Sequence, residues 1–121
     1  MTTHQIEGMA KQVYQILGAG FSERVYHNAM EVLLRKEGIP YETERIVPVV
    51  FEGHTIGNMR ADLIVDGTLV VELKATKVLT PAMNTQARKY LQLLNLPVAM
   101  LVNFPQPLGL DPEISVVESC K

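Results

Sequence analysis

Two carboxylates and an ammonium group, those of Asp62, Glu72 and Lys74, sit in a stretch that is otherwise mostly aliphatic, RADLIVDGTLVVELKA, residues 60–75. The stretch reads as two strands joined by a turn at Asp66 and Gly67. Side chains alternate faces along a strand, so Glu72 and Lys74 share one face while Val71, Leu73 and Ala75 share the other. A two-residue turn would pair Asp62 with Val71 and leave Asp62 on the face opposite Glu72. A three-residue connection, Asp66-Gly67-Thr68, would set Asp62 opposite Glu72 and Leu63 opposite Val71. Burial of the apolar set selects the register, and the second choice matches apolar with apolar. The odd-length turn, or an equivalent bulge, is therefore expected.

That register sets like charges against each other, which destabilises a sheet and shifts carboxyl pKa values. A divalent cation between the two removes the repulsion. Mg²⁺ or Mn²⁺ takes hard oxygen ligands, commonly one or two carboxylates with water and phosphate. Lys74 is placed to position or deprotonate a water at such an ion, or to steady a developing negative charge. The chemistry these residue types support is metal-assisted hydrolysis. A plainer reading stands beside it: a solvated strand face with a Glu–Lys pair is ordinary, and short motifs arise by chance.

The flanking sequence supplies the elements that must hold these groups. Ile6, Met9, Ala10, Val13, Ile16 and Leu17 recur at helical spacing over residues 3–17, and Gly18-Ala19-Gly20 ends that helix. Ser22 is the expected N-cap of a second helix, with Val25, Ala29, Val32 and Leu33 as its buried stripe. Gly38 and Pro40 stop it. From Tyr41 the pattern turns to strand, with a hairpin at Glu52-Gly53 and an edge strand or bulge marked by Pro48. Thr80 caps a third helix with Pro81 at its first position and Met83, Ala87, Leu91 and Leu94 as its stripe. PVAMLVNF reads as a strand covered on both faces, and a last strand is expected over residues 113–117. The order ααβββαββ predicts an α+β fold, an α/β sandwich with helices flanking a mixed sheet.

The 121 residues fit a single domain spanning 1–121, long enough to bury a core without metal or disulfide. The lone Cys120 permits no disulfide within the chain and suggests a reducing, intracellular compartment. No signal peptide is expected at the N-terminus, and no membrane partner, since no apolar run nears the roughly 18 residues of a span. A net charge of −2 argues against bulk electrostatic attachment to nucleic acid. Residues 60–89 are nonetheless locally basic, with five Lys and Arg against three Asp and Glu. His4, His27 and His54 have no metal-ligand spacing and read as surface or structural residues.

Asp62 followed by Glu72-Leu73-Lys74 resembles the D…(D/E)-x-K core of the PD-(D/E)xK nuclease superfamily, with Ala61 in place of the proline. Gly20, Glu23 and Tyr26 in GFSERVY fit the signature of the GxxExxY family within it. Gln86 and Tyr90 in QARKY look like the Q-x-x-x-Y element of RecB-like members, and LLNLPVAMLVNF resembles the closing helix end and strand. The likeness runs over residues 5–117 and implies a restriction-endonuclease-like αβββαβ core. It implies that Asp62 and Glu72 are the main ligands of Mg²⁺ or Mn²⁺, with the Leu73 backbone carbonyl as a further oxygen. Glu23 would be the first acidic residue of the site and a further ligand, and Lys74 the catalytic lysine. Gln86 and Tyr90, at i and i+4 on one helix face, would line the site. Structural readings apply too: Glu23 suits the positive end of a helix whatever its function, Tyr26 suits the core with its hydroxyl bonded, and Gly20 suits a turn needing positive φ.

The resulting expectation is a small Mg²⁺-dependent nuclease hydrolysing phosphodiesters of nucleic acid, DNA foremost, inside the cell (cytoplasm, or nucleus in a eukaryote). The resemblance implies 5′-phosphate and 3′-hydroxyl products. The alternative is a non-catalytic module of the same fold, acting as a homodimer or with a protein partner in a nucleic-acid complex. A hydrolase of small phosphorylated molecules is a third reading, but the chain has no Gly-rich phosphate cradle. It also has no aromatic stacking platform, so sequence specificity would need a partner or a dimer.

Overall fold

Asp66 (φ +54°) and Gly67 (φ +68°) turn the chain tightly enough that Val65 pairs with Leu69, Ile64 with Val70 and Leu63 with Val71. This is the three-residue connection, and it brings Asp62 level with Glu72. The computed structural model describes residues 3–119; Cys120 lies outside the described residues. Its elements are α1 (Thr3–Leu17), α2 (Glu23–Lys36), β1 (Tyr41–Phe51), β2 (His54–Val65), β3 (Leu69–Lys74), α3 (Pro81–Leu94), β4 (Val98–Asn103) and β5 (Glu113–Glu118). The five strands form one sheet in sequence order. All neighbours are antiparallel except β3 and β4, which run parallel because α3 carries the chain back between them. The α+β class and the order ααβββαββ are as expected. Among the described residues no helix is long and apolar enough to cross a membrane.

Alternation along the central strands feeds two cores. Leu63, Val65, Val71, Leu73, Met100 and Val102 face α1 and α2, which contribute Ile6, Tyr14, Tyr26, Met30 and Leu34. Ile64, Val70, Ala99 and Leu101 face α3, which contributes Ala87, Tyr90 and Leu91. Thr80 caps α3 through its side chain, accepting the Met83 N–H, with Pro81 just inside as expected. Pro48 lies in β1, which is both the edge strand and the site of a register shift between Val49 and Val50.

The helix stripes differ from the sequence expectation. On α2 the buried residues are Tyr26, His27, Met30 and Leu34, while Val25, Ala29 and Leu33 are half-buried and Val32 is exposed. The stripe chosen by aliphatic character faces the shallow groove beside α1, whereas the sheet takes the neighbouring face with its larger side chains. On α1 Ile16 is 73% exposed, because the last turn overhangs that groove and Tyr14 fills the core instead.

These placements set the cost of truncation. Met30→Ala removes a fully buried side chain and should lower stability by about 2–5 kcal/mol. Ile16→Ala should change it by no more than about 0.5 kcal/mol. Urea unfolding of the two variants checks the assignment.

Candidate active site

The backbone ladder between β2 and β3 ends at Leu63 and Val71. Beyond that pair the strands part, and side chains take over the bonding. The Asp62 N–H donates to Glu72 Oε2 at 2.7 Å, and the Leu73 N–H donates to Asp62 Oδ2 at 2.8 Å. Each carboxylate thus satisfies a backbone donor of the opposite strand that would otherwise lack a partner. The other edge of β2 is interrupted at the same level: β1 pairs Thr43 with Leu63 and Arg45 with Ala61, skipping Glu44, which sits at φ +53°. A left-handed backbone at a residue other than glycine costs about 1–2 kcal/mol, and such strain gathers where geometry serves a site. Here it interrupts β1 opposite Asp62 without shifting the register, and Ala61 turns to the α3 side together with Ile64.

Tyr90 reaches this fork from α3. Its hydroxyl donates to the Arg60 carbonyl at 2.6 Å and lies against Glu72. It therefore anchors the strand two residues before Asp62. On the far side of β3, Lys74 pairs in register with Asn103 of β4, and its carbonyl accepts the Phe104 N–H at 2.8 Å. Asn103 is fully buried and grips the chain just past Lys74: Oδ1 accepts the Thr76 N–H at 2.9 Å and Nδ2 donates to the Thr76 carbonyl at 3.1 Å. From the opposite wall, Glu23 in the first turn of α2 joins Arg24, His27, Arg60 and Asp62 around a cleft of about 220 Å³.

Burial and crowding define the electrostatics. Glu72 is 4% exposed, and burial, then the charge of Asp62, pushes its carboxyl up to about 8. Glu23 is raised as well, first by burial and then by Asp62, with Lys74 opposing. Burial, then the Glu72 charge, raises the Tyr90 hydroxyl. The site therefore penalises added negative charge and favours a cation.

Of the residues expected from sequence, Asp62, Glu72 and Tyr90 come into direct contact. Lys74 and Glu23 stand close enough to influence the carboxylates, and the Leu73 backbone is bonded to Asp62. Gln86, one turn before Tyr90 on α3, is exposed. Among the described residues no group of three or more His, Cys, Asp or Glu is placed to hold a metal ion, so Glu23, Asp62 and Glu72 do not form a ready-made cage. The donor set still suits a hard divalent ion, since two carboxylates, water and substrate oxygens are a usual Mg²⁺ environment. His27 is structural as expected, though not at the surface: Nε2 meets Thr43 Oγ1 at 2.9 Å and Glu31 Oε2 at 3.0 Å. Its place on the cleft wall follows from its spacing, one turn after Glu23. Nothing in the spacing of Arg24 or Arg60 marks them for the cleft wall. Asn103 belongs to the Asn-Phe pair that closes LLNLPVAMLVNF, but its grip on Thr76 has no sequence signal.

Residues 1–116 match the family model described as the PD-(D/E)XK nuclease superfamily. The chain belongs to that superfamily. Its sheet and helices are the restriction-endonuclease-like arrangement. Among solved structures, SSO0001 is similar at TM-score 0.61 and 19% identity, over 82% of this chain and 51% of that one. This chain thus spans about half the length of SSO0001. An alkaline exonuclease, LHK-Exo from Laribacter hongkongensis, is similar at TM-score 0.56 and 10% identity, over 98% of this chain and 83% of that one. Likeness at such identities concerns the fold. No curated protein matches the chain.

The raised Glu72 carboxyl has a consequence for folding. Between the ordinary carboxyl range and about pH 8 the folded chain holds a proton there that the unfolded chain has lost. Stability from this group is therefore highest at acid pH and falls as pH rises through that window. In chelator, the Tm advantage of Glu72→Gln over the native chain should grow from pH 5 to pH 8.5. Thermal melts across that range measure it.

Proposed function

We propose that the chain is a divalent-cation-dependent nuclease hydrolysing phosphodiester bonds of nucleic acid, DNA foremost, and that it falls in the GxxExxY family of the superfamily. The observation that carries this reading is the fork: two carboxylates from adjacent strands brought together where the ladder parts, with Lys74 beside them. The family assignment rests on Gly20, Glu23 and Tyr26, with Glu23 facing the Asp62 cleft. Residues 1–121 are read as a single nuclease-like domain acting on nucleic acid inside the cell.

Asp62 and Glu72 would hold Mg²⁺ or Mn²⁺, with the Leu73 carbonyl as a third oxygen and Glu23 completing the acidic wall. When bound, the ion supplies Lewis-acid polarisation of a phosphoryl oxygen and makes water a better nucleophile. Lys74 donates hydrogen bonds toward the attacked phosphoryl group and stabilises charge as it develops there. Water oxygen bonds to phosphorus, the bond to the 3′ oxygen breaks, and the products are a 5′-phosphate and a 3′-hydroxyl. Tyr90 keeps β2 in place beneath the carboxylates, and Gln86 borders the approach on α3.

One observation favours a second reading, a non-catalytic module that binds nucleic acid as a dimer or with a protein partner. Both carboxylates already spend an oxygen on backbone donors. Cleavage assays decide between the two. Labelled single- and double-stranded DNA and RNA in Mn²⁺ should be cut by the native chain, with rates at least about 100-fold lower for Asp62→Asn, Glu72→Gln and Lys74→Met. Mn²⁺ should raise the Tm of the native chain and not that of the Asp62→Asn, Glu72→Gln double variant. Binding or dimerisation without cleavage would favour the second reading.

A further inference from the structure

Glu23 opens α2 without the side-chain cap that usually fixes a helix start. Ser22 occupies the N-cap position with extended backbone, yet its side chain makes no cap hydrogen bond, contrary to the usual role of serine there. The preceding loop includes Gly18 (φ +71°) and Gly20 (φ +111°), both conformationally free. Tyr26 of α2 holds part of this loop, its hydroxyl accepting the Phe21 N–H at 3.4 Å, and a further restraint comes from elsewhere in the fold.

Gln106 supplies it. From the loop after β4 its side-chain carbonyl accepts the Gly20 N–H at 2.9 Å. Its amide nitrogen donates to the Tyr26 hydroxyl at 3.1 Å and to the Phe104 carbonyl at 3.1 Å. Tyr26 passes the restraint back, since its hydroxyl donates to the Gly18 carbonyl at 2.7 Å and its ring stacks on Phe104 at 4.4 Å. The Gln106 backbone N–H, meanwhile, donates to the Thr76 carbonyl at 3.0 Å, two residues past Lys74. One residue therefore ties the loop that leads into Glu23 to the segment just past Lys74, although neither contact touches the carboxylates.

We infer that Gln106 is a positioning residue, a strut that sets Glu23 against Asp62 and Lys74. The inference rests on the nuclease reading for its effect on rate, but not for its effect on geometry. Gln106→Met keeps the length of the side chain and removes both polar ends. Exchange of the Gly20 amide with solvent, followed by NMR, should quicken by about tenfold in this variant, the effect of losing one hydrogen bond of ordinary net strength. The global Tm should stay within a few degrees. On labelled DNA in Mn²⁺, kcat should fall about tenfold while KM moves less than twofold, as for a group that acts through the reacting geometry rather than ground-state binding. The same change made in a Glu23→Gln background should cost nothing further, because there the group being positioned is already gone.

Equal losses in both backgrounds would reduce Gln106 to a general packing role and overturn the inference. So would an unchanged Gly20 exchange rate, or a Glu23→Gln variant as fast as the native chain. A native chain that cleaves none of the probes would sink the nuclease reading, and the Gly20 exchange rate would still decide the strut.

Discussion

The exchange of backbone donors between Asp62 and Glu72 is the constraint on which the site depends. Two strands that paired to their ends would bury their N–H groups in the ladder and leave both carboxylates without structural work. Because β2 and β3 part after Leu63 and Val71, the donors of Asp62 and Leu73 need acceptors, and the carboxylates are the acceptors at hand. Hydrogen bonds to charged groups contribute about 1.5–3 kcal/mol each. Taking a carboxylate out of water costs several kcal/mol. The one backbone bond that Glu72 accepts does not offset its burial and the nearby Asp62 charge, which is why its carboxyl keeps a proton toward neutral pH.

Everything around the fork can be read as holding it open. The left-handed Glu44 interrupts the β1–β2 pairing opposite Asp62, Tyr90 pins the Arg60 carbonyl, and Asn103 clamps Thr76 beyond Lys74. The three restraints come from an edge strand, a helix on one face and the end of β4. None of them is a neighbour in sequence of the residue it serves. A parallel β3–β4 pair makes this possible, because the crossover through α3 delivers Tyr90 to one side of the sheet and Asn103 to the adjacent strand.

Much of this is legible in the sequence itself. Hydrophobic alternation and the Asp66-Gly67 turn were enough to select the register that sets Asp62 level with Glu72, since the alternative would have faced Leu63 away from Val71. The helix caps at Thr80 and Gly38, and the demotion of Pro48 to an edge strand, came from backbone chemistry that acts locally. What was not legible depends on tertiary choice. Aliphatic residues on α2 pointed to Val25, Ala29, Val32 and Leu33, but the sheet selected the face with Tyr26, His27 and Met30, which fill more volume. Ser22 looked like a self-sufficient cap and is not. The left-handed Glu44 carries no local signal, because glutamate does not favour that conformation and only the surrounding pairing imposes it.

The fork can be examined directly by growing crystals in a chelator and soaking them in Mn²⁺, then collecting anomalous diffraction. The account expects one strong peak between Asp62 and Glu72, with carboxylate oxygens near 2.0–2.2 Å, about the range for a small hard divalent ion. Saturating Mn²⁺ that leaves the fork without a peak, with both carboxylates still bonded to the opposing backbone, would contradict it.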